Sequence, residues 1–136
     1  MDIVLIAPDS LHAVWKDVRA GLEKMPVSDW IPEDVYHAVR SGESALYIGV
    51  GDAGFGGFMV LRKQQTEFSK QPVLHVWLAY SVAEPDVLAH GIDTVREVAK
   101  RIGAQKITFG SPRKGWAKRF PVVDATYEIP LEGAFL

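Results

Sequence analysis

The sequence contains no cysteine, and this absence excludes several kinds of site at once. Without a thiol, the chain can form no disulfide, use no cysteine nucleophile and offer no cysteine ligand to a metal. The four histidines (His12, His37, His75 and His90) show no spacing typical of a metal site, so we expect no metal. The lack of cysteine is also compatible with the cytoplasm, which is the location we expect.

The sequence also lacks a long apolar run and a strong net charge. No stretch is long enough to span a bilayer, and the first residues lack the basic segment of a signal peptide. The net charge of −2 gives no general attraction to nucleic acid or to a membrane surface. We therefore expect no membrane partner and no nucleic-acid partner for the chain as a whole.

The first part of the sequence predicts a strand followed by two helices, within one domain over residues 1–136. Residues 2–7 are a short apolar run that ends at Pro8. Asp9 or Ser10 is expected to cap a helix whose apolar stripe is Leu11, Val14, Trp15, Val18 and Leu22. A second helix is expected to begin at Pro32 and to end at 41–42, with Val35 and Val39 facing inward.

The middle of the sequence predicts three consecutive strands. Residues 45–50 and 55–63 are strand-like in composition, and the stretch Gly51-Asp52-Ala53-Gly54 between them indicates a hairpin. Residues 73–81 predict a central strand, because both of its faces are mostly apolar. One predicted face is Leu74, Val76, Leu78 and Tyr80, and the other is Val73, His75, Trp77 and Ala79.

The last part of the sequence predicts the longest helix and two further strands. The helix is expected to begin at Pro85 and to be capped by Gly103, with a stripe of Leu88, Ile92, Val95, Ala99 and Ile102. Residues 106–109 predict a short strand, and residues 112–120 one or two helical turns. Residues 122–131 alternate between apolar and polar side chains and predict a final, half-buried strand.

The resulting order, β-α-α-β-β-β-α-β-α-β, resembles the GCN5-related N-acetyltransferase (GNAT) superfamily. Two sequence segments also resemble this superfamily. Arg-Ser-Gly-Glu-Ser-Ala-Leu-Tyr-Ile-Gly at 40–49 resembles the passage from the second helix into the three strands, and Ala-Lys-Arg-Ile-Gly-Ala-Gln-Lys-Ile at 99–107 resembles the passage from the long helix into the next strand. The segment Ser-Pro-Arg-Lys-Gly-Trp at 111–116 resembles a compact phage and prophage subgroup. The resemblance implies an α/β fold of the acyl-CoA N-acyltransferase type, with a mixed, mainly antiparallel sheet flanked by helices.

The resemblance also implies acetyl-CoA as the cofactor. In this family the strand before the long helix splays from its neighbour, and the pantetheine arm lies in the opening. The matching backbone groups here are those of Leu78, Tyr80, Val82 and Ala83. In the family, a glycine-rich loop at the start of the long helix binds the pyrophosphate. Residues 81–89 depart from that pattern, because they contain no glycine or arginine and place Glu84 and Asp86 where the phosphates would lie.

The catalytic residues of the family match only in part. A base is often held by the central strand, and His75 is the residue of that strand that titrates near neutral pH. The alternative for His75 is a purely structural role on a partly exposed face of the sheet. The family's tyrosine acid is missing from residues 113–120, and Tyr127 lies further on, where packing is its expected role.

Four basic residues (Arg113, Lys114, Lys118 and Arg119) surround Trp116. Three interpretations stay open for this basic segment. Arg113 and Lys114 can contact the CoA phosphates from the side, the segment can bind nucleic acid, or it is a solvated helix face whose tryptophan packs on the sheet.

Two functions therefore remain open from the sequence. The first is an acyl-CoA-dependent N-acyltransferase with a degenerate pyrophosphate loop, acting on an amine of a small molecule or of a protein. The second is a non-catalytic, phage-encoded or prophage-encoded protein of the same fold that acts through protein contacts. A dimer is compatible with either function.

Overall fold

The computed structural model describes residues 2–26, 28–82, 85–111 and 114–133, without the side chains of residues 85–88 and 114. Five strands, three helices and two short 3-10 turns are found in this part of the chain. In order they are β1 (Asp2–Ile6), a 3-10 turn (Pro8–Ser10), α1 (Leu11–Glu23), α2 (Pro32–Arg40), β2 (Ser44–Gly51), β3 (Gly54–Gln65), β4 (Pro72–Ser81), α3 (Pro85–Ile102), β5 (Lys106–Phe109) and a second 3-10 turn (Lys114–Lys118).

The strands form one mixed sheet in the order β1-β2-β3-β4-β5. The first three pairs are antiparallel, and β4 pairs with β5 in parallel. The crossover between the parallel strands is α3, as the topology of parallel pairs requires. The predicted fold class, a mainly antiparallel sheet flanked by helices, is confirmed.

The helices cover opposite faces of the sheet. One layer contains α1 and α2, and its buried side chains are Leu11, Val18, Leu22, Val35, Val39, Leu46, Ile48, Phe58, Val60 and Leu78. The other layer contains α3, with Tyr47, Leu61, Leu74, Val95, Val98 and Ala99. Most of the apolar stripes predicted for the helices are therefore confirmed, although the side chain of Leu88 lies outside the described part.

The predicted cap of α1 is wrong in its chemistry. Ser10 occupies the N-cap position but makes no side-chain hydrogen bond to the helix. Asp9 instead accepts a hydrogen bond from Arg40, with Nη1 and Oδ1 3.1 Å apart, and so ties the start of α1 to the end of α2. Within α2, the first turn is closed by Asp34, whose Oδ2 accepts from the Ile31 N–H at 2.9 Å.

The predicted division of β4 into two faces is wrong because the strand contains a bulge. Val60 lies opposite Leu78, but the next residue, Leu61, lies opposite Val76, so Trp77 is an extra residue. The extra residue reverses the alternation. Val76 therefore packs in the layer of α3, whereas Leu78 packs in the layer of α1 and α2.

The final predicted strand is also wrong. Residues 121–130 form neither helix nor strand, and their side chains are exposed throughout. The expected helical turns before them are present as the second 3-10 turn. Across the described residues, no helix combines the length and the apolar character that crossing a membrane requires.

Candidate functional site

The sheet opens between β4 and β5. The two strands pair from Val73 with Lys106 to Val76 with Phe109, and β4 then continues to Ser81. In the described part of the chain, nothing pairs with β4 on this side beyond Val76. The opening begins at Trp77, so the bulge marks the point at which the parallel pairing ends, as bulges beside functional sites often do.

Register decides which backbone groups of β4 face this opening. The N–H of Val82 donates to the carbonyl of Gly56 on β3, with N and O 3.0 Å apart. Backbone groups of successive strand residues point to opposite edges, so Leu78, Tyr80 and Val82 direct theirs towards β3. The residues that direct their backbone groups into the opening are Ala79 and Ser81.

From the sequence, the backbone groups of Leu78, Tyr80 and Val82 are expected to meet the cofactor. The register turns these groups towards β3 and directs those of Ala79 and Ser81 into the opening, which is a shift of one residue. A bulge inside a continuous apolar run leaves no sequence signal that would reveal this shift. Ala83, the fourth predicted residue, lies outside the described part of the chain.

The outer half of β4 is held firmly on its other edge. Gly57 of β3 has a φ of 153°, and a Cβ there would collide with the carbonyl oxygen of Tyr80. The ring of Tyr80 stacks on Phe58, with centroids 5.8 Å apart. A Cβ on Gly21 of α1 would lie 2.8 Å from the Phe58 ring and 2.9 Å from the Tyr80 ring. Close packing against β3 and α1 thus fixes one edge of the strand while the other stays open.

His75 lies just before the opening, one position ahead of the last parallel pair. Its Nδ1 shares a hydrogen bond with Oγ1 of Thr108 on β5, at 2.9 Å. Burial, and after it the nearby Arg62 guanidinium, lowers the pKa of the His75 imidazole below its usual value. The ring is therefore neutral at neutral pH, and a neutral imidazole can accept a proton.

Arg62 links His75 to the bulge. It lies opposite His75 on β3, and its guanidinium carbon stands 3.7 Å from the ring centroid of Trp77. Its Nε donates to Oγ of the buried Ser44 at 3.1 Å, which fixes the direction of the side chain. Cation–π contacts of this kind favour one orientation of the indole, so Arg62 helps to hold Trp77 at the mouth of the opening.

An aromatic cluster places Trp116 and the residues that follow it beside the end of β5. Trp116 packs edge-on against Phe109, the last residue of β5, with centroids 5.3 Å apart. Phe120 contacts both rings, at 5.7 Å from Phe109 and 6.0 Å from Trp116. Trp116 therefore packs on the sheet, and the exposed Lys118 and Arg119 lie close to the end of β5. Arg113 and the side chain of Lys114 lie outside the described part.

A cavity under α3 is separate from the opening. Its volume is about 250 Å³, and its lining includes Tyr47, Leu61 and Leu74 of the sheet with Val98 and Ile102 of α3. Val98 and Ile102 belong to the last turns of α3, whereas the opening lies where α3 begins. The cavity therefore takes no part in the candidate site.

Comparison with known proteins identifies the fold. No family model matches the sequence, and no curated protein matches it. A solved structure described as a probable acetyltransferase has 17% identity and a TM-score of 0.71, covering 98% of this chain and 100% of its own. A ribosomal-protein-alanine N-acetyltransferase from Brucella melitensis biovar Abortus 2308 has 14% identity and a TM-score of 0.71, covering 96% and 99%. An aminoglycoside acetyltransferase from an uncultured soil sample has 9% identity and a TM-score of 0.69, covering 96% and 98%. Identities this low establish a shared fold.

Proposed function

Because the chain has the fold of GNAT acetyltransferases, we propose that it is an acyl-CoA-dependent N-acyltransferase that transfers an acyl group to an amine. The observation that carries this proposal is the parting of β4 from β5 at Trp77. The pantetheine arm of acetyl-CoA occupies the corresponding opening in the enzymes that the sequence resembles. A sheet without such an opening would leave the cofactor no place between the strands.

The backbone of Ala79 and Ser81 is suited to hold the pantetheine arm. Pantetheine contains amide groups, and a free strand edge offers N–H donors and C=O acceptors at regular intervals. An extended chain with amides can therefore bind along the open edge of β4, much as a peptide adds to a sheet. This binding needs no particular side chain, which suits positions where alanine and serine stand.

The phosphates of CoA require positive charge near the start of α3. The N-terminus of this 18-residue helix favours anions, but the adjacent Glu84 and Asp86 oppose them. We assign the compensating charge to the basic segment, with Arg113 and Lys114 as phosphate ligands and Lys118 and Arg119 as further cations. Support comes from the contact between Phe109 and Trp116, which holds the described part of this segment at the end of β5.

His75 is our candidate for the base. In the transfer, the amine nitrogen would bond to the acyl carbon while the thioester C–S bond breaks. The sulfur would leave as the CoA thiolate and take up a proton, and the amine nitrogen would lose one. The Nδ1 of His75 is occupied by Thr108, which leaves Nε2 to accept that proton through a water molecule. The lowered pKa keeps the imidazole neutral and ready to accept.

Calorimetric titration with acetyl-CoA tests the proposal. We expect saturable micromolar binding that the double change Arg113→Ala and Lys114→Ala weakens by about tenfold or more, because charge-assisted contacts are lost. The matched control is Lys100→Ala with Arg101→Ala, which removes the same charge at the far end of α3. No heat of binding and no thermal shift at millimolar acetyl-CoA would refute the proposal that the chain is an acyl-CoA-dependent enzyme.

A second candidate function is favoured by one specific observation. Phe68 is 89% exposed at the tip of the turn between β3 and β4. The turn is closed by hydrogen bonds from the Thr66 N–H to the Gln71 carbonyl at 3.0 Å and from the Gln71 N–H to Thr66 Oγ1 at 2.9 Å. An exposed aromatic ring on a closed turn suits a contact with another protein. A non-catalytic phage or prophage protein of this fold would bind through this ring and would give no signal in the acetyl-CoA titration.

A further inference from the structure

The strand β5 forms one edge of the sheet, and its outer side is open to pairing with another strand. β5 pairs with β4 along one edge only. Here no strand of the described chain pairs with its outer edge. Ile107 and Phe109 of β5 are exposed apolar residues. An unpaired edge with exposed apolar side chains is a template for strand addition.

The C-terminal segment, residues 122–131, has the pattern of a strand that lacks a partner. Val123, Tyr127 and Ile129 alternate with polar residues and are 74%, 84% and 83% exposed. Exposed apolar side chains in such a regular row are unusual on a monomer and indicate a surface that is covered in an assembly. Pro130 cannot donate a hydrogen bond, so pairing would end at Ile129.

We propose that the C-terminal segment of one copy pairs as a sixth strand with the free edge of β5 in a second copy, and that the exchange is reciprocal. Each chain carries both the C-terminal segment and the free edge of β5. Two copies related by two-fold symmetry can therefore pair both segments with both edges. Within one copy, the segment stays off its own sheet.

The side chains of the two partners are complementary in character. The apolar row of the segment can cover Ile107 and the part of Phe109 that Trp116 and Phe120 leave exposed, on one face of β5. The intervening Asp124 and Glu128 carry negative charge, and Lys106 of β5 carries positive charge and is exposed. Opposite charges across paired strands favour the pairing. This dimer goes beyond the proposed transfer reaction and does not depend on it.

Analytical ultracentrifugation over a range of concentrations tests the exchange. We expect a dimer that at least one of Ala125→Pro and Thr126→Pro weakens by about tenfold or more. Backbone donors of adjacent strand residues point to opposite edges, so one of the two prolines removes a donor that faces β5. Ala125 is exposed, so the thermal unfolding of the monomer should stay unchanged. The matched control is Thr126→Ser, which keeps the N–H and the hydroxyl and should leave the dimer intact.

Disulfide trapping in this cysteine-free chain distinguishes exchange from pairing within one copy. A Lys106→Cys chain is mixed with chains carrying Asp124→Cys, Thr126→Cys or Glu128→Cys, one at a time. We expect a covalent heterodimer in at least one mixture after mild oxidation. Three results would overturn the proposal: a monomer at every concentration, a dimer that survives both Ala125→Pro and Thr126→Pro, or a disulfide that forms only when both cysteines are placed in one chain.

Discussion

Among single residues, His75 has its protonation state set by its neighbours. Burial and the Arg62 charge both disfavour the imidazolium, so the pKa of His75 in the folded chain lies below the ordinary value of 6.5. The unfolded chain therefore binds more protons than the folded chain between these two pKa values. The free energy of unfolding is therefore unaffected by His75 above the ordinary pKa. It falls as the pH drops from the ordinary pKa towards the lower pKa of the folded chain.

This linkage predicts a pH-dependent loss of stability that His75→Asn reduces. Asparagine keeps a polar atom near the position of Nδ1 but does not titrate. Chemical denaturation at about pH 7.5 and about pH 5.5 should show a smaller loss of unfolding free energy in His75→Asn than in the unmodified chain. Equal losses in the two proteins would contradict this account of His75.

The Arg62 contribution can be measured separately. Arg62→Met removes the positive charge and keeps most of the apolar stem, so the pKa of His75 should rise when followed by NMR of the folded protein. The sequence indicated His75 as the titrating group of β4. It gave no sign of Thr108, which is 33 residues away, because contacts of that kind depend on which strands become neighbours.

At the scale of elements, the packing of α1 on β3 and β4 depends on the absence of a side chain at Gly21. An added Cβ would lie closer than 3.0 Å to two rigid aromatic rings. Gly21→Ala should therefore destabilise the protein by about 1 to 3 kcal/mol, since aromatic rings cannot move aside without disturbing the layer. Thermal or chemical denaturation measures the change.

Gly91 of α3 is the matched control for Gly21. Both glycines lie inside helices, but a Cβ on Gly91 would meet only the Met59 sulfur at 3.5 Å, an ordinary contact. Gly91→Ala should stabilise the protein by about 0.5 to 1 kcal/mol, because alanine loses less backbone entropy on folding. If both substitutions changed stability in the same direction, close packing at Gly21 would not be the cause.

Elements with a clear period or a strong boundary were predictable from the sequence, and elements that depend on a partner were not. The stripe of α1, Pro32 at the start of α2 and the turn at Gly51–Gly54 each determine structure locally, and all three were predicted. Residues 122–131 alternate like a strand, but a strand exists only where a neighbour supplies hydrogen bonds. The bulge at Trp77 was hidden because apolar side chains fill both faces of β4.

For the molecule as a whole, hydrogen exchange should separate a protected sheet from an unprotected C-terminal segment. Amides of β2 and β3 lie between two helical layers, so we expect slow exchange there. Residues 122–131 should exchange rapidly in dilute solution and more slowly at high concentration, when the proposed dimer forms. Protection of this segment that is independent of concentration would indicate pairing within one chain.

The same experiment with acetyl-CoA locates the binding site. Addition of the cofactor should slow exchange at Ala79 and Ser81, whose backbone groups face the opening. The Val82 amide already donates to Gly56 and serves as the internal reference. Slower exchange confined to residues near the cavity under α3 would place the cofactor elsewhere.

The bulge at Trp77 has a consequence for how substitutions along β4 should be compared among homologous chains. Before Trp77, even-numbered positions such as Leu74 and Val76 belong to the layer of α3. After it, even-numbered positions such as Leu78 and Tyr80 belong to the layer of α1 and α2. Apolar substitutions should therefore covary with α3 at one end of this strand and with α1 at the other. An alignment without a one-residue gap against bulge-free strands would assign half of β4 to the wrong layer.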